Sequence, residues 1–273
     1  MPGVANSSLL ALRDRIRHIE RPARHGVLPF GVAALDCALP GGGLALGAVH
    51  EILGAGGDEE DGAAAAGFAA GILARLGTAP VVPAGNGIVL WCLRRPDLYG
   101  PGLVAYGLDP ARLVLVRASR DDEILWVVEE GLRAGLASGL AAVVGEIGQL
   151  PMVAGRRLQL AAERSGIIAL ILRRWRSATE AAAERDRPSA ALTRWRVAAL
   201  PSADIANEPG IGRPRWRVAL LRVRGGEPGI WDVEAADATG HVSLSAELAD
   251  RPAAPARLRA EPPNSSEKRR RAG

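Results

Sequence analysis

Lysine is nearly absent from this chain. Of 34 basic side chains in 273 residues, Lys268 is the single lysine and the other 33 are arginines. Guanidinium clamps phosphates and carboxylates bidentately, but it stays charged at every accessible pH and cannot serve as a proton shuttle or a Schiff-base amine. Lysine chemistry is thereby excluded from the folded body. Cysteine is as scarce: Cys37 and Cys92 stand without any C-x-x-C spacing, which excludes a disulfide framework and fits two small hydrophobes in a reducing compartment. The four histidines, His18, His25, His50 and His241, form no H-E-x-x-H pattern, so no metal site is expected. No uncharged apolar run reaches membrane-spanning length, and the start MPGVANSSLLALRDRI lacks a continuous apolar stretch before a cleavage site. The expectation is a soluble, cytoplasmic protein.

Excess charge is also missing from most of the chain. The formal net charge is +4, yet from Arg251 onward seven basic residues face two glutamates, whereas the preceding 250 residues hold 27 basic against 28 acidic. The basic character belongs to the tail, residues 250–273, whose Pro-, Ala- and charge-rich composition reads as disordered. Its Lys268, Arg269, Arg270 and Arg271 form a block that attracts DNA or an acidic partner, or is simply a solvated terminus.

What is present is periodic. Ser7–Glu20 spaces Leu9, Leu12, Ile16 and Ile19 as an amphipathic helix, which Arg21-Pro22 ends. A short helix around 32–38, a glycine turn at Gly41–Gly43 and a strand near 48–53 follow. Next come the loop GAGGDEEDG and an alanine-rich helix over 63–76. Apolar runs at 87–93, 112–118, 140–147 and 166–174 alternate with helical segments at 101–107, 121–137 and 152–165, which predicts a mainly parallel sheet flanked by helices. In 121–137 acids open the helix at its positive dipole end, and Ile124, Val127, Val128, Leu132 and Leu136 share one face. The polar stretch SATEAAAERDRPS reads as a mobile loop or a frayed helix. From Thr193 the period becomes two, and TRWRVAAL, PRWRVALLRVRGG, IWDVEAAD and HVSLSAEL predict four mainly antiparallel strands with turns at Pro209-Gly210, Gly225-Gly226 and Thr239-Gly240.

A strand, a glycine-bearing loop and a helix are the setting of a phosphate loop, where backbone amides surround the phosphates, a lysine reaches the terminal one and a Ser or Thr holds magnesium. Here Gly54, Gly56 and Gly57 are followed by Asp58, Glu59, Glu60, Asp61 and Gly62, and then by alanines. The lysine and the hydroxyl are missing. Four carboxylates at the mouth of a helix satisfy its dipole themselves and repel a triphosphate, each close like-charge pair being worth ~1 kcal/mol even in water. The position reads as an acidic cap with no ligand, or as a site for magnesium or a partner's arginine.

These segments carry a resemblance. Leu28–Gly54, with Leu35-Asp36 in a short helix, Gly47, and Glu51 on the strand, is similar to the stretch leading into the phosphate loop of RecA. Trp91–Arg117 and Trp216–Gly240 resemble more closely two segments of the ImuA family, RecA-like accessory proteins of a damage-inducible bacterial mutagenesis cassette. The resemblance covers residues 28–248. The chain then divides into an N-terminal helix and linker (1–27), a degenerate RecA-like α/β core (28–176), a polar loop (177–193), a C-terminal mainly antiparallel β extension (194–249) and the tail (250–273). The resemblance implies a non-catalytic scaffold without cofactor, joining ImuB, a relative of Y-family polymerases, to an error-prone replicative-type DNA polymerase in SOS-induced translesion synthesis, with RecA a further partner. It also makes the N-terminal helix a candidate contact, since a similar element of RecA docks on the neighbouring subunit; the C-terminal strands and tail are another. Two rivals stand beside it, an active RecA-type DNA-dependent ATPase and a SulA-like inhibitor of cell division.

The chain departs from RecA-type ATPases at three places. The loop lysine and its hydroxyl neighbour are absent; Arg94-Arg95-Pro96 follow the strand where those enzymes place the acid that activates water; and the third strand ends in Gly145-Glu146, an acid one position late and so expected on the opposite face. ATP hydrolysis is not expected. Three Arg-Trp-Arg triplets, at 174–176, 194–196 and 215–217, place each tryptophan on one strand face and its arginines on the other. Either the tryptophans stack on single-stranded DNA while the arginines hold phosphates, or Trp195 and Trp216 pack as core edges with their arginines in solvent or paired to acids. The lack of net positive charge in the body favours packing. Arg174, Trp175 and Arg176, with Arg185 and Arg187 among the offsetting Glu180, Glu184 and Asp186, are the candidate DNA or partner contacts.

Overall fold

The computed structural model describes residues 25–77, 87–185, 187–202 and 212–245. The N-terminal helix, the Pro209-Gly210 turn and the block Lys268–Arg271 read from the sequence lie outside the described residues. A short ribbon of β1 (Val27–Leu28) and β2 (Leu44–Ala45), with α1 (Ala33–Asp36) between them, leads to β3 (Val49–Gly54) and α2 (Ala63–Leu76). There follow β4 (Ile88–Leu93), α3 (Gly100–Val104), β5 (Leu113–Arg117), α4 (Asp121–Ala134), β6 (Leu140–Ile147), α5 (Met152–Ser165), β7 (Ile168–Arg173) and α6 (Ala178–Arg185). Among the described residues four more strands follow: β8 (Thr193–Leu200), β9 (Arg215–Val223), β10 (Gly229–Glu234) and β11 (Ser243–Leu244).

Nine strands form one sheet in the order β11-β10-β9-β8-β3-β7-β6-β4-β5. Pairing is parallel from β8 to β5 and antiparallel from β8 out to β11. Two features sharpen the sequence reading. Thr193–Leu200 is not confined to an antiparallel extension: it pairs parallel with β3, Trp195 opposite Ile52, and antiparallel with β9, Trp195 opposite Leu220. The sheet therefore runs unbroken through the 193/194 boundary. Of the two readings of the polar stretch after β7, mobile loop or frayed helix, the helical one describes ATEAAAER, rich in alanine and glutamate, which winds into α6.

Two cores lie on the two faces. All six residues of β3 are buried, as a strand covered on both sides requires. Against one face α2 is buried almost all round, and its glycines set how closely it approaches: a Cβ on Gly67 would stand 2.8 Å from the Tyr106 ring, and one on Gly71 2.7 Å from the Ala236 Cβ. An aromatic cluster fills that side, with Trp195 5.4 Å from Phe30 and 5.7 Å from Phe68, and Trp216 6.3 Å from Phe68, ring centre to ring centre. Against the other face α4 and α5 bury Ile124, Val128, Leu132, Leu158 and Ala162. Among the described residues no helix is long and apolar enough to cross a membrane.

Candidate functional site: the degenerate phosphate-loop position

Between β3 and α2 the chain makes a wide helical turn, Asp58–Gly62. Five amides from Ala55 to Asp61 are occupied from within. Gly56 N–H donates to Asp61 Oδ2 at 2.7 Å, Asp58 N–H to the Trp175 carbonyl at 2.9 Å, Ala55 N–H to the Val197 carbonyl at 2.9 Å, and the amides of Glu60 and Asp61 both to the Gly57 carbonyl at 3.1 Å. Asp61 is buried and its second oxygen accepts from Ala199 N–H at 2.7 Å, tying the turn to β8. Gly54 lets it come this close, since a Cβ there would stand 3.0 Å from that of Asp61. The donors that would surround phosphates thus serve the chain's own carbonyls and one carboxylate.

The charge at the position is likewise matched from within. The Arg174 guanidinium lies 2.9 Å from Asp58 Oδ1 in the turn, 2.9 Å from Glu146 Oε2 at the end of β6, and 2.7 Å from Asp97 Oδ2 beyond β4. Arg95 reaches Asp58 Oδ2 at 3.3 Å. Here the structure corrects the expected face of Glu146. It points to the same side as the turn: the Trp91 indole donates to Glu146 Oε1 at 2.8 Å. Gly145 is the residue facing α4, where a Cβ would meet Val128 at 2.7 Å. Burial pushes the Glu146 carboxyl above its ordinary range, against the opposite pull of Arg174 and the Trp91 indole. Burial also acts against the charge of Arg174, but Glu146 and Asp58 outweigh it and its pKa is raised.

A nucleoside triphosphate with magnesium does not fit these residues. Five of the amides from Ala55 to Asp61 are engaged, the head of α2 carries alanines where a lysine and a Ser or Thr would stand, and the acids that would approach magnesium hold a guanidinium. The acidic turn read from the sequence as a cap, or as a site for a metal or a partner's arginine, binds two arginines of its own chain through Asp58, while Glu59 and Glu60 are exposed. Among the described residues no group of three His, Cys, Asp or Glu is placed to hold a metal.

The candidate contact residues separate. Arg174 is the hub just described. Trp175 is buried, packs with Leu53 and Ala181 and donates to the Gly148 carbonyl at 3.0 Å, so it offers no face for stacking on a base. Arg176 is exposed, and Arg187 is exposed and lies 3.2 Å from Glu184 Oε1. Arg185 ends α6. Trp195 and Trp216 are buried in the aromatic cluster, and Arg217 forms a double hydrogen bond with Asp232, both distances 2.7 Å. The triplets pack rather than present tryptophan.

Sequence reading missed a second buried network on the opposite face of β3. Glu51 Oε2 lies 3.1 Å from Arg173 and 3.2 Å from Arg194, the Ser189 hydroxyl donates to Oε1, and Arg173 reaches Glu184 at 2.9 Å. On the α2 face of β3, the one shared by Ile52 and Trp195, His50 is buried between the Thr193 hydroxyl at 2.7 Å and the Ala45 carbonyl at 2.9 Å, and burial lowers its pKa to about 4. The members come from four separated segments, so no local spacing announces them.

No protein-family model matches the chain. Two curated relatives, both described as Protein ImuA and both from Caulobacter vibrioides, from strains NA1000 / CB15N and ATCC 19089 / CB 15, are 41% identical over 231 residues, covering 82% of this chain and 91% of each relative. Among solved structures, the RadB recombinase superposes with a TM-score of 0.53 at 19% identity, over 80% of this chain and 99% of that one. At that identity the likeness carries the fold, a RecA-like α/β sheet, and nothing more.

Proposed function

The chain belongs to the ImuA family, and on that premise we propose that it is a non-catalytic accessory protein of damage-induced mutagenesis, a binding platform in translesion synthesis. Its partners are then ImuB and an error-prone replicative-type DNA polymerase, with RecA a further one, and it works in the cytoplasm. The observation that supports this best is Arg174, held by Asp58, Asp97 and Glu146 where an ATPase would admit nucleotide and magnesium. A resident guanidinium with three carboxylates is charge-satisfied and leaves nothing there for a phosphate to neutralise. DNA, on this reading, is reached mainly through partners: the buried Trp175, Trp195 and Trp216 give no stacking platform. The test has two arms. ATP with magnesium is expected to leave the thermal midpoint unchanged, and ImuB is expected to co-purify with the tagged chain after DNA damage. A nucleotide-dependent stabilisation would restore the ATPase reading, and failure to recover ImuB under full induction would remove the platform.

A further inference from the structure

The helix layer formed by α4 and α5 carries apolar side chains that the fold does not use. Trp126 on α4 is 62% exposed, and Val153 and Leu160 on α5 are 72% and 54% exposed. A helix that rests one apolar face on a sheet places polar residues elsewhere, and both helices already bury such a face. Val153, Arg157, Leu160 and Arg164 succeed one another by four, three and four positions, which makes them one stripe along α5. Between the C-terminal halves of the two helices runs a groove of about 480 Å³, with Leu132, Leu136, Leu160 and Ala161 in its walls and Arg157 and Arg164 at its edge. Glu129 pairs with Arg133 at 2.6 Å and with Arg157. Arg156 and Arg164 have no side-chain hydrogen bond or ion pair among the described residues.

We infer that the α4–α5 groove is a docking surface for an amphipathic helix of a partner protein whose polar flank is acidic. Such a helix lays apolar residues spaced i, i+4, i+7 into the groove and sets carboxylates against Arg156 and Arg164. From Arg157 to Ser165 α5 lines the groove over about 14 Å, enough for two to three turns of the incoming helix. Charge selects this occupant over the chain's own N-terminus. Residues 1–24 join the described chain at His25, whose Nε2 lies 2.8 Å from the Glu163 carbonyl at the end of α5, so residues 7–20 have the reach. They belong, however, to a segment with five arginines against Asp14 and Glu20 and would bring like charge to the groove. The inference rests on the platform reading and says where on the chain a partner sits.

The test replaces Leu160 in the full-length chain by photoreactive benzoylphenylalanine, irradiates cells after DNA damage and sequences the attached peptide. The expected adduct is one partner segment of net negative charge with helical apolar spacing. Adding Arg156→Glu and Arg164→Glu should cut its yield at least tenfold while the thermal midpoint stays put, since both side chains are exposed. An adduct with residues 7–20 of this chain, with a second copy, with nucleic acid or with a basic segment overturns the inference, and so does the lack of any adduct. If ImuB still co-purifies while no acidic helix is attached at Leu160, the groove fails and the platform stands; if ImuB is lost from the unmodified chain, the platform itself fails.

Discussion

Replacing Arg174 by methionine removes the guanidinium and keeps much of its apolar stem. Three carboxylates then lose a partner, but unequally. Asp58 keeps Arg95, and the Asp97 side chain is 43% exposed, so solvent screening holds its share below about 1 kcal/mol. Glu146 carries most of the loss, with a side chain only 1% exposed. Breaking a buried pair from one side costs about 3–5 kcal/mol, and the retained Trp91 bond places the expected loss near the lower end, about 3 kcal/mol at pH 8. The pH dependence has a definite sign. Burial raises the folded-state value of Glu146 above the ordinary 4.5, so above pH 4.5 the folded state holds the proton better than the unfolded one, and stability falls as pH climbs towards the raised value. Arg174 counters that rise; without it the loss extends to higher pH. Urea unfolding followed by circular dichroism should therefore show Arg174→Met losing more at pH 8 than at pH 5, and Glu146→Gln in the same chain should restore at least half of the deficit. A loss below about 1 kcal/mol at pH 8, or the same loss at both pH values, would refute the hub.

Three further perturbations follow from the same geometry. Burial lowers His50 from 6.5 to about 4, so the unfolded chain binds its proton first; up to about 3 kcal/mol of stability should drain away between pH 6.5 and 4, and His50→Gln should flatten that slope in urea titrations. Asp61→Ala frees the Gly56 and Ala199 amides and should cost about 1–3 kcal/mol, with faster amide exchange at those two positions. Trp195→Ala empties the centre of the aromatic cluster and should cost about 3–5 kcal/mol in urea unfolding; a loss under 1 kcal/mol would show that the cluster is not the core.

The helices and the parallel strands were legible because their periods are strong: the boundaries of 63–76, 140–147 and 152–165 coincide with α2, β6 and α5. The parity of β6 was harder. Counting from a nucleotide-site pattern put Glu146 on the wrong face, whereas its own strand alternates Ala142, Val144 and Glu146 towards α2 and Val143, Gly145 and Ile147 towards α4. Face is set by what each neighbour packs against, which that pattern does not encode. The triplets misled in part for a related reason: Arg174-Trp175-Arg176 follows the last strand residue, Arg173, so strand alternation does not govern it. The three acids around Arg174 lie at 58, 97 and 146, a constellation that only the sheet order brings together.

That sheet order also bears on synthesis. β3 lies between β7 and β8, so the first long strand to leave the ribosome must wait for both of its neighbours. About 140 residues separate it from β8, roughly 7–28 s of elongation at ~5–20 residues per second. Until β7 emerges, 114 residues after Gly54, the stretch Val49 to Leu53, with His50 and Glu51 as its polar members, has neither neighbour to pair with. His50 and Glu51, both fully buried in the finished fold, put two polar side chains on the strand that waits.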